Sequence, residues 1–246
     1  MIKIIEKIKE FIKNYVSSAH SAGVVVGMSG GKDSFVAAKL CSEAVGVENV
    51  FGVIMPNGEM ADIEIAKQEC EILGIKYAVV NIEKITKEIE KKTKEIDEKN
   101  ELNQIAEINI SPRIRMTYLY TIAANKNYLV VNTSNLSETM IGYSTKWGDG
   151  VGDFAPLADF TKTEVCEIGV ALGLPENLVN KKPDDGLSGK TDEEKIGFSY
   201  DELDNFIRNG IKDVNFSKIE KMHNASHHKR QPICKFESNR KNYFKR

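Results

Sequence analysis

The chain has 246 residues, 41% of them hydrophobic, which is enough to bury one sizeable core and near the upper end of what one core supports. A formal net charge of −2 with 28% charged residues gives no long-range attraction to nucleic acid or to an anionic membrane, so any polyanionic ligand must be held by local groups. The opening Met1-Ile2-Lys3-Ile4-Ile5-Glu6 has no continuous apolar run and reads as neither signal peptide nor membrane span, and Cys41, Cys70, Cys166 and Cys234 lack the spacing of a zinc site or a disulfide framework. A single-domain cytoplasmic protein with reduced thiols is expected.

In chain order, residues 4–16 repeat apolar groups at helical spacing (Ile4, Ile5, Ile8, Phe11, Ile12, Tyr15, Val16) and predict an amphipathic helix. Val24 to Met28 is a short β-branched run that reads as a buried strand ending in glycines, followed by a helix from about Ser34 to Val45. Val50 to Met55 predicts a second strand, Ala61 to Leu73 a helix closed by Gly74, and Tyr77 to Val80 a third strand. Glu83 to Asn100, rich in Lys and Glu, reads as a solvated helix running into a loop. Pro112 opens a helix to about Asn125, and Tyr128 to Val131 gives a fourth strand ending at Asn132-Thr133-Ser134-Asn135. Gly142 to Asp153 and Pro183 to Lys195 read as loops. The alternation predicts an α/β fold: an open, mostly parallel sheet with helices on both faces, its ligands at the carboxyl ends of strands near Met28 and Val131.

After the first strand, Ser29-Gly30-Gly31-Lys32-Asp33-Ser34 opens a helix. Glycines let successive N–H groups turn inward, and the helix N-terminus adds partial positive charge, which makes an anion nest; a plain strand-to-helix turn is the alternative. An ordinary P-loop needs a glycine where Val26 stands and Ser or Thr after the lysine, where Asp33 stands, so that motif fails twice. The loop instead resembles, at every fixed position, the Ser-Gly-Gly-x-Asp-Ser signature of the ATP pyrophosphatase superfamily, whose fold is adenine nucleotide alpha hydrolase-like and Rossmann-related. That resemblance implies that Gly27, Met28, Ser29, Gly30, Gly31, Lys32, Asp33 and Ser34 grip the pyrophosphate end of ATP, with cleavage between the α and β phosphates. A carboxylate beside phosphates is repelled unless a cation stands between them, and magnesium is the expected intermediary at Asp33.

Later segments narrow the family. Asn132-Thr133-Ser134-Asn135-Leu136-Ser137-Glu138, Gly142 to Gly150 with Asp153, Pro156 to Lys162, and Thr191 to Glu202 are similar to the corresponding stretches of ammonia-dependent NAD synthetases, and the resemblance runs over nearly the whole chain. It implies that Thr133 and Lys162 contact ATP, that Glu138 is a second magnesium ligand beside Asp33, and that Arg113, Lys146, Asp153, His228 and Lys229 hold nicotinic acid adenine dinucleotide. Two positions depart from the pattern: Asn132 where many relatives have Gly, and Asp184, an ATP-binding position, where they have Thr or Ser. An acid at Asp184 faces phosphates unfavourably unless it binds metal or turns away.

The resemblance implies that ATP adenylylates the nicotinate carboxylate, that ammonia then displaces AMP, and that the partners are ATP, nicotinic acid adenine dinucleotide and ammonia, in a homodimer with no nucleic acid or membrane. No general base is read from the sequence. A strand beginning near Val24 leaves no room for a preceding glutaminase domain, so free ammonia is the expected nitrogen source. A tRNA-modifying pyrophosphatase fits the charge balance poorly, and a module that only binds AMP has no use for both Asp33 and Glu138.

Overall fold

The computed structural model of the protein describes residues 1–59, 62–97, 99, 101–181 and 191–236. Four parallel strands, β1 (Gly23–Gly27), β2 (Val50–Ile54), β3 (Lys76–Val79) and β4 (Tyr128–Val130), form one sheet in the order β3-β2-β1-β4. Val24 stands opposite Val50 on one side and Leu129 on the other, which fixes β1 in the middle. The chain therefore builds outward from β1 to β3 and then returns to lay β4 on β1's other side. The order of connection reverses between β1 and β4.

Side chains alternate across a strand, and in β1 the alternation feeds two cores. Val24 and Val26 face one core, shared with α1 (Ile2–Ser18), α2 (Lys32–Val45) and α3 (Ile63–Leu73), while Val25 faces the other, shared with Val53, Val130 and the long helix α6 (Ile110–Lys126). All three valines are fully buried, as expected for a strand covered on both faces. On α1, Ile5, Ile8, Ile12 and Val16 form the buried stripe, and Ile4, Phe11 and Tyr15 remain partly exposed. The solvated helix α4 (Glu83–Ile96) and the short α5 (Gln104–Ile108) precede α6; α5 was not anticipated by the apolar spacing. Pro112 sits in the first turn of α6, where its missing N–H leaves no bond unmade.

Beyond β4 come α7 (Leu136–Ile141), α8 (Lys162–Ala171), α9 (Glu176–Val179), α10 (Asp192–Ile196), α11 (Tyr200–Asn209) and α12 (Phe216–Ala225). Helices α8 and α9 add Val165, Ile168 and Val179 to the first core, whereas Ile141, Ile196, Tyr200, Leu203 and Ile219 make a third, smaller core of their own. The segment before α8 returns to β4: Val131 bridges Phe154, and the Asp153 carboxylate accepts from the Val130 N–H at 2.7 Å and from the Tyr120 hydroxyl at 3.3 Å.

Among the boundaries that differ from the sequence reading, two have a visible local cause. Helix α2 starts at Lys32, not Ser34, because the Ser34 hydroxyl donates back to the Gly31 carbonyl at 2.9 Å and draws the first turn into the helix. The expected loop at 183–195 is helical from Asp192 onward; Thr191 accepts from the Glu194 N–H and the Glu194 side chain accepts from the Thr191 N–H, a reciprocal cap that starts α10. Ile12, fully buried between α1 and α2, tests the first core. Ile12→Ala is expected to lower unfolding free energy by about 3 kcal/mol in a guanidinium titration, and a loss below about 1 kcal/mol would show that α1 is not part of the core.

Candidate active site

The loop after β1 is braced from within. Met28 N–H donates to the Val53 carbonyl at 2.9 Å, carrying the sheet pattern one residue further. The Ser34 hydroxyl accepts from the Ser29 N–H at 3.3 Å, and Ser29 Oγ accepts from the Gly31 N–H at 3.3 Å. Gly30 has φ +77°, and a Cβ there would stand 2.8 Å from the Asp62 carbonyl oxygen, so both conformation and space require glycine. No side chain caps α2. Its first N–H groups, aligned with the helix dipole, are left facing the site, which suits them to an anion.

A second set of groups arrives from the end of β4. Asn135, fully buried, caps α7 by accepting from the Glu138 N–H at 2.9 Å and donates from its amide nitrogen to Asp33 Oδ1 at 3.1 Å. One side chain thus ties the start of α7 to the start of α2 and holds Asp33 and Glu138 in one site. Glu138 Oε1 lies 3.1 Å from the Lys162 Nζ, which is also 3.3 Å from Asp192 Oδ2 and 3.7 Å from the centre of the Tyr200 ring. Lys32 Nζ stands 3.9 Å from Asp33 Oδ2.

Burial and the neighbouring Asp33 charge push the Glu138 carboxyl up to about 7, with Lys162 opposing the rise. Burial works against the Lys162 charge, but Glu138, Asp33 and Asp192 outweigh it and hold its pKa above the ordinary lysine value. Two carboxylates that repel one another at an anion nest are the donor set a hard divalent cation would relieve. Among the described residues no group of three or more Asp, Glu, His or Cys gathers as a metal cage. A cation held by Asp33 and Glu138 would then complete its shell with phosphate oxygens and water, the usual habit of magnesium.

Across α7 lies a cavity of about 530 Å³ lined by Asn132, Ser134, Thr139, Lys146, Asp153 and Lys229 among others. Lys229 Nζ donates to the carbonyls of Gly142 (2.8 Å) and Ser144 (2.6 Å), and burial lowers its pKa. Lys146 Nζ donates to the His228 carbonyl at 2.9 Å and lies 5.5 Å from the Trp147 ring centre. Arg113 Nε donates to the Lys146 carbonyl at 3.4 Å. An anion nest with carboxylates and lysines, beside a cavity edged with further cations, suits a nucleotide and a second anionic substrate.

The family model for NAD synthase matches residues 4–246. The chain belongs to the NAD synthase family. It is 42% identical over 238 residues to the NH(3)-dependent NAD(+) synthetase of Archaeoglobus fulgidus, covering 93% of this chain and 94% of that one. Among solved structures, the NMN synthetase of Francisella tularensis superposes with a TM-score of 0.87 at 32% identity, covering 95% of this chain and 97% of that one. The NH3-dependent NAD synthetase of Campylobacter jejuni superposes at 0.77 with 31% identity, covering 96% and 98%.

Placed on this family's fold, the residues singled out from sequence fall in three places. Gly27 to Ser34, Glu138 and Lys162 gather around the anion nest, with Thr133 in the turn after β4. Lys146, Asp153 and Lys229 line the larger cavity, the His228 carbonyl accepts from Lys146, and Arg113 lines a separate apolar cavity of about 320 Å³ with Ile89, Leu102, Ile110 and Ile114. Asp184 lies outside the described residues. Sequence reasoning passed over Asn135, Asp192, Tyr200 and Asp204. Asn135 could have been found, since an Asn three residues before a Glu at a helix start is a cap signal; the other three gave no local signal that they face Lys162 or its neighbours.

The raised Glu138 pKa sets a pH dependence in the ligand-free protein. Glu138 holds its proton to about pH 7 when folded, against 4.5 ordinarily, so the unfolded chain binds fewer protons across that interval and stability falls as pH rises through it. Glu138→Gln, which cannot release a proton, is expected to flatten this fall, so that its melting temperature declines less than that of wild type between about pH 5 and pH 8. Parallel pH profiles of melting temperature would show that Glu138 is not held protonated.

Proposed function

We propose that the chain is an ammonia-dependent NAD synthetase, which joins ammonia to the nicotinate carboxylate of nicotinic acid adenine dinucleotide at the expense of ATP. The observation that carries the reading is the coupling of Asp33 to Glu138 through Asn135 at an uncapped helix start, in a chain of the NAD synthase family. A carboxylate anion resists attack by ammonia, because oxide is a poor leaving group, so activation has to come first.

In this reading the loop from Gly27 to Ser34 takes the β and γ phosphates and the Thr133 turn contacts the nucleotide. The nicotinate oxygen attacks the α phosphorus; a new O–P bond forms as the bond from the α phosphorus to the bridging oxygen breaks, and pyrophosphate leaves. Ammonia then attacks the acyl carbon, the C–O bond to AMP breaks, and the surplus proton passes to solvent. Asp33 and Glu138 would hold magnesium, which supplies charge neutralisation of the pyrophosphate. Lys162, already charged and sheltered from water, stabilises the negative charge that builds on the phosphates during displacement. Positioning and charge neutralisation do most of this work.

Lys146 and Lys229 edge the space assigned to the dinucleotide, Arg113 and His228 reach it through their hydrogen bonds with Lys146, and Asp153 contributes through Oδ1, whose one partner among the described residues is the Tyr120 hydroxyl at 3.3 Å. A homodimer fits the exposed Ile85, Ile89, Ile105 and Ile108, of which Ile89 lines the same cavity as Arg113. The free thiols at Cys41, Cys70, Cys166 and Cys234 fit a reducing cytoplasm, and no described helix is long and apolar enough to cross a membrane. A second reading is favoured by one likeness: the solved structure superposing at 0.87 is an NMN synthetase, so the acid mononucleotide is an alternative acceptor.

The test supplies ATP, magnesium and ammonium with either nicotinic acid adenine dinucleotide or nicotinic acid mononucleotide, and follows pyrophosphate together with NAD or NMN. NAD and pyrophosphate in equal amounts from the dinucleotide are expected. Faster turnover of the mononucleotide favours the second reading, and release of orthophosphate instead of pyrophosphate overturns both. Asp33→Asn is expected to reduce turnover by at least about 100-fold while circular dichroism and melting temperature stay near wild type. Wild-type turnover in this variant would remove the proposed metal role.

A further inference from the structure

Two residues of α11 enclose Lys162 and its neighbours, although nothing in the reaction scheme calls on that helix. Tyr200 opens α11, and its ring centre lies 3.7 Å from the Lys162 Nζ. Both residues are nearly sealed from water, Tyr200 at 6% and Lys162 at 5% exposure, and the attraction between an ammonium and a ring face is greatest where both are desolvated. An ammonium has three N–H groups. Glu138 and Asp192 take two of its directions, and the ring is its third partner.

Four residues along, on the same face of α11, stands the buried Asp204. Its Oδ1 accepts from the Ser137 hydroxyl, and its Oδ2 accepts from the Thr163 N–H at 3.0 Å and the Thr163 hydroxyl at 2.7 Å. Ser137 Oγ in turn accepts from the Lys162 N–H at 3.0 Å. Ser137 immediately precedes Glu138 and Thr163 immediately follows Lys162, so one carboxylate fixes the main chain next to both charged residues. The helix is placed independently of the site: Ser199 and Glu202 cap it reciprocally, and Leu203 is fully buried in the third core.

We propose that α11 is a positioning element for ATP use, in which Tyr200 and Asp204 together hold the Lys162 ammonium beside Glu138 before the nucleotide arrives. The ring, not the hydroxyl, does the holding, since the Tyr200 hydroxyl is buried without a hydrogen-bond partner among the described residues. The proposal rests on the reading of Lys162 as a phosphate-site residue given above. Neither Tyr200 nor Asp204 touches the reacting atoms in this scheme; both act through Lys162 and Glu138.

The experiment compares Tyr200→Leu, Tyr200→Phe, Asp204→Asn and Leu203→Ala with wild type. For each, it measures melting temperature, the Kd of ATP by calorimetry with magnesium, and the KM values of ATP and ammonium. Tyr200→Leu and Asp204→Asn are expected to weaken ATP about tenfold in both Kd and KM, with the ammonium KM within about twofold of wild type. Tyr200→Phe, which keeps the ring, is expected to recover most of that loss. Leu203→Ala removes a buried side chain of the same helix without touching Lys162, so it is expected to lower the melting temperature while the folded protein binds ATP as wild type does. The proposal is overturned if Tyr200→Leu binds ATP normally, if Tyr200→Phe is as impaired as Tyr200→Leu, or if Leu203→Ala weakens ATP to the same degree. Should wild type form no NAD from ammonium, the functional reading fails, and calorimetry of ATP still decides the role of α11.

Discussion

A lysine ammonium taken out of water must be surrounded by compensating charge, and much of this molecule is arranged to meet that demand at Lys162. Glu138 comes from α7, Asp192 from α10 and the Tyr200 ring from α11, three elements that converge on one nitrogen. The same cation is what makes the crowding of Asp33 and Glu138 tolerable in the absence of a ligand. Positive charge is therefore in place before any anion binds, and in the proposed reaction little reorganisation is needed when phosphate arrives.

The sheet explains why these groups meet where they do. Because the connection order reverses between β1 and β4, the turns that leave those two strands diverge and open a crevice at their carboxyl ends. The glycine loop fills one lip and the turn from Asn132 to Asn135 the other. A fully buried Asn135 amide spans the crevice floor, so the distance between the lips is fixed by hydrogen bonds and not by loop length.

The sheet and the glycine loop at the end of β1 were legible in the sequence, because both rest on local patterns. Val24 to Val26 and Tyr128 to Val130 announce buried strands by composition, and the glycine loop announces itself by spacing. The surroundings of Lys162 were not legible. Asp192, Tyr200 and Asp204 lie 30 to 42 positions downstream and are brought in by packing of the third core, which no local period encodes. The helix beginning at Asp192 was hidden for a different reason: a polar, acidic stretch looks like a loop unless the reciprocal Thr191 and Glu194 cap is noticed. Asp153 illustrates the converse, since the residue assigned to a ligand by resemblance also serves the backbone of β4.

That double duty reaches beyond the cavity. β4 is the last strand on its side of the sheet, and a terminal strand with free N–H groups is a template on which another chain can extend the sheet. Here the Asp153 carboxylate occupies the Val130 N–H, and the pairing of Val131 with Phe154 lays the following chain along the rest of that margin. The wall of the larger cavity is thus also a cover strip, which lets the protein keep an open crevice at the ends of its strands without offering an open border to its own kind.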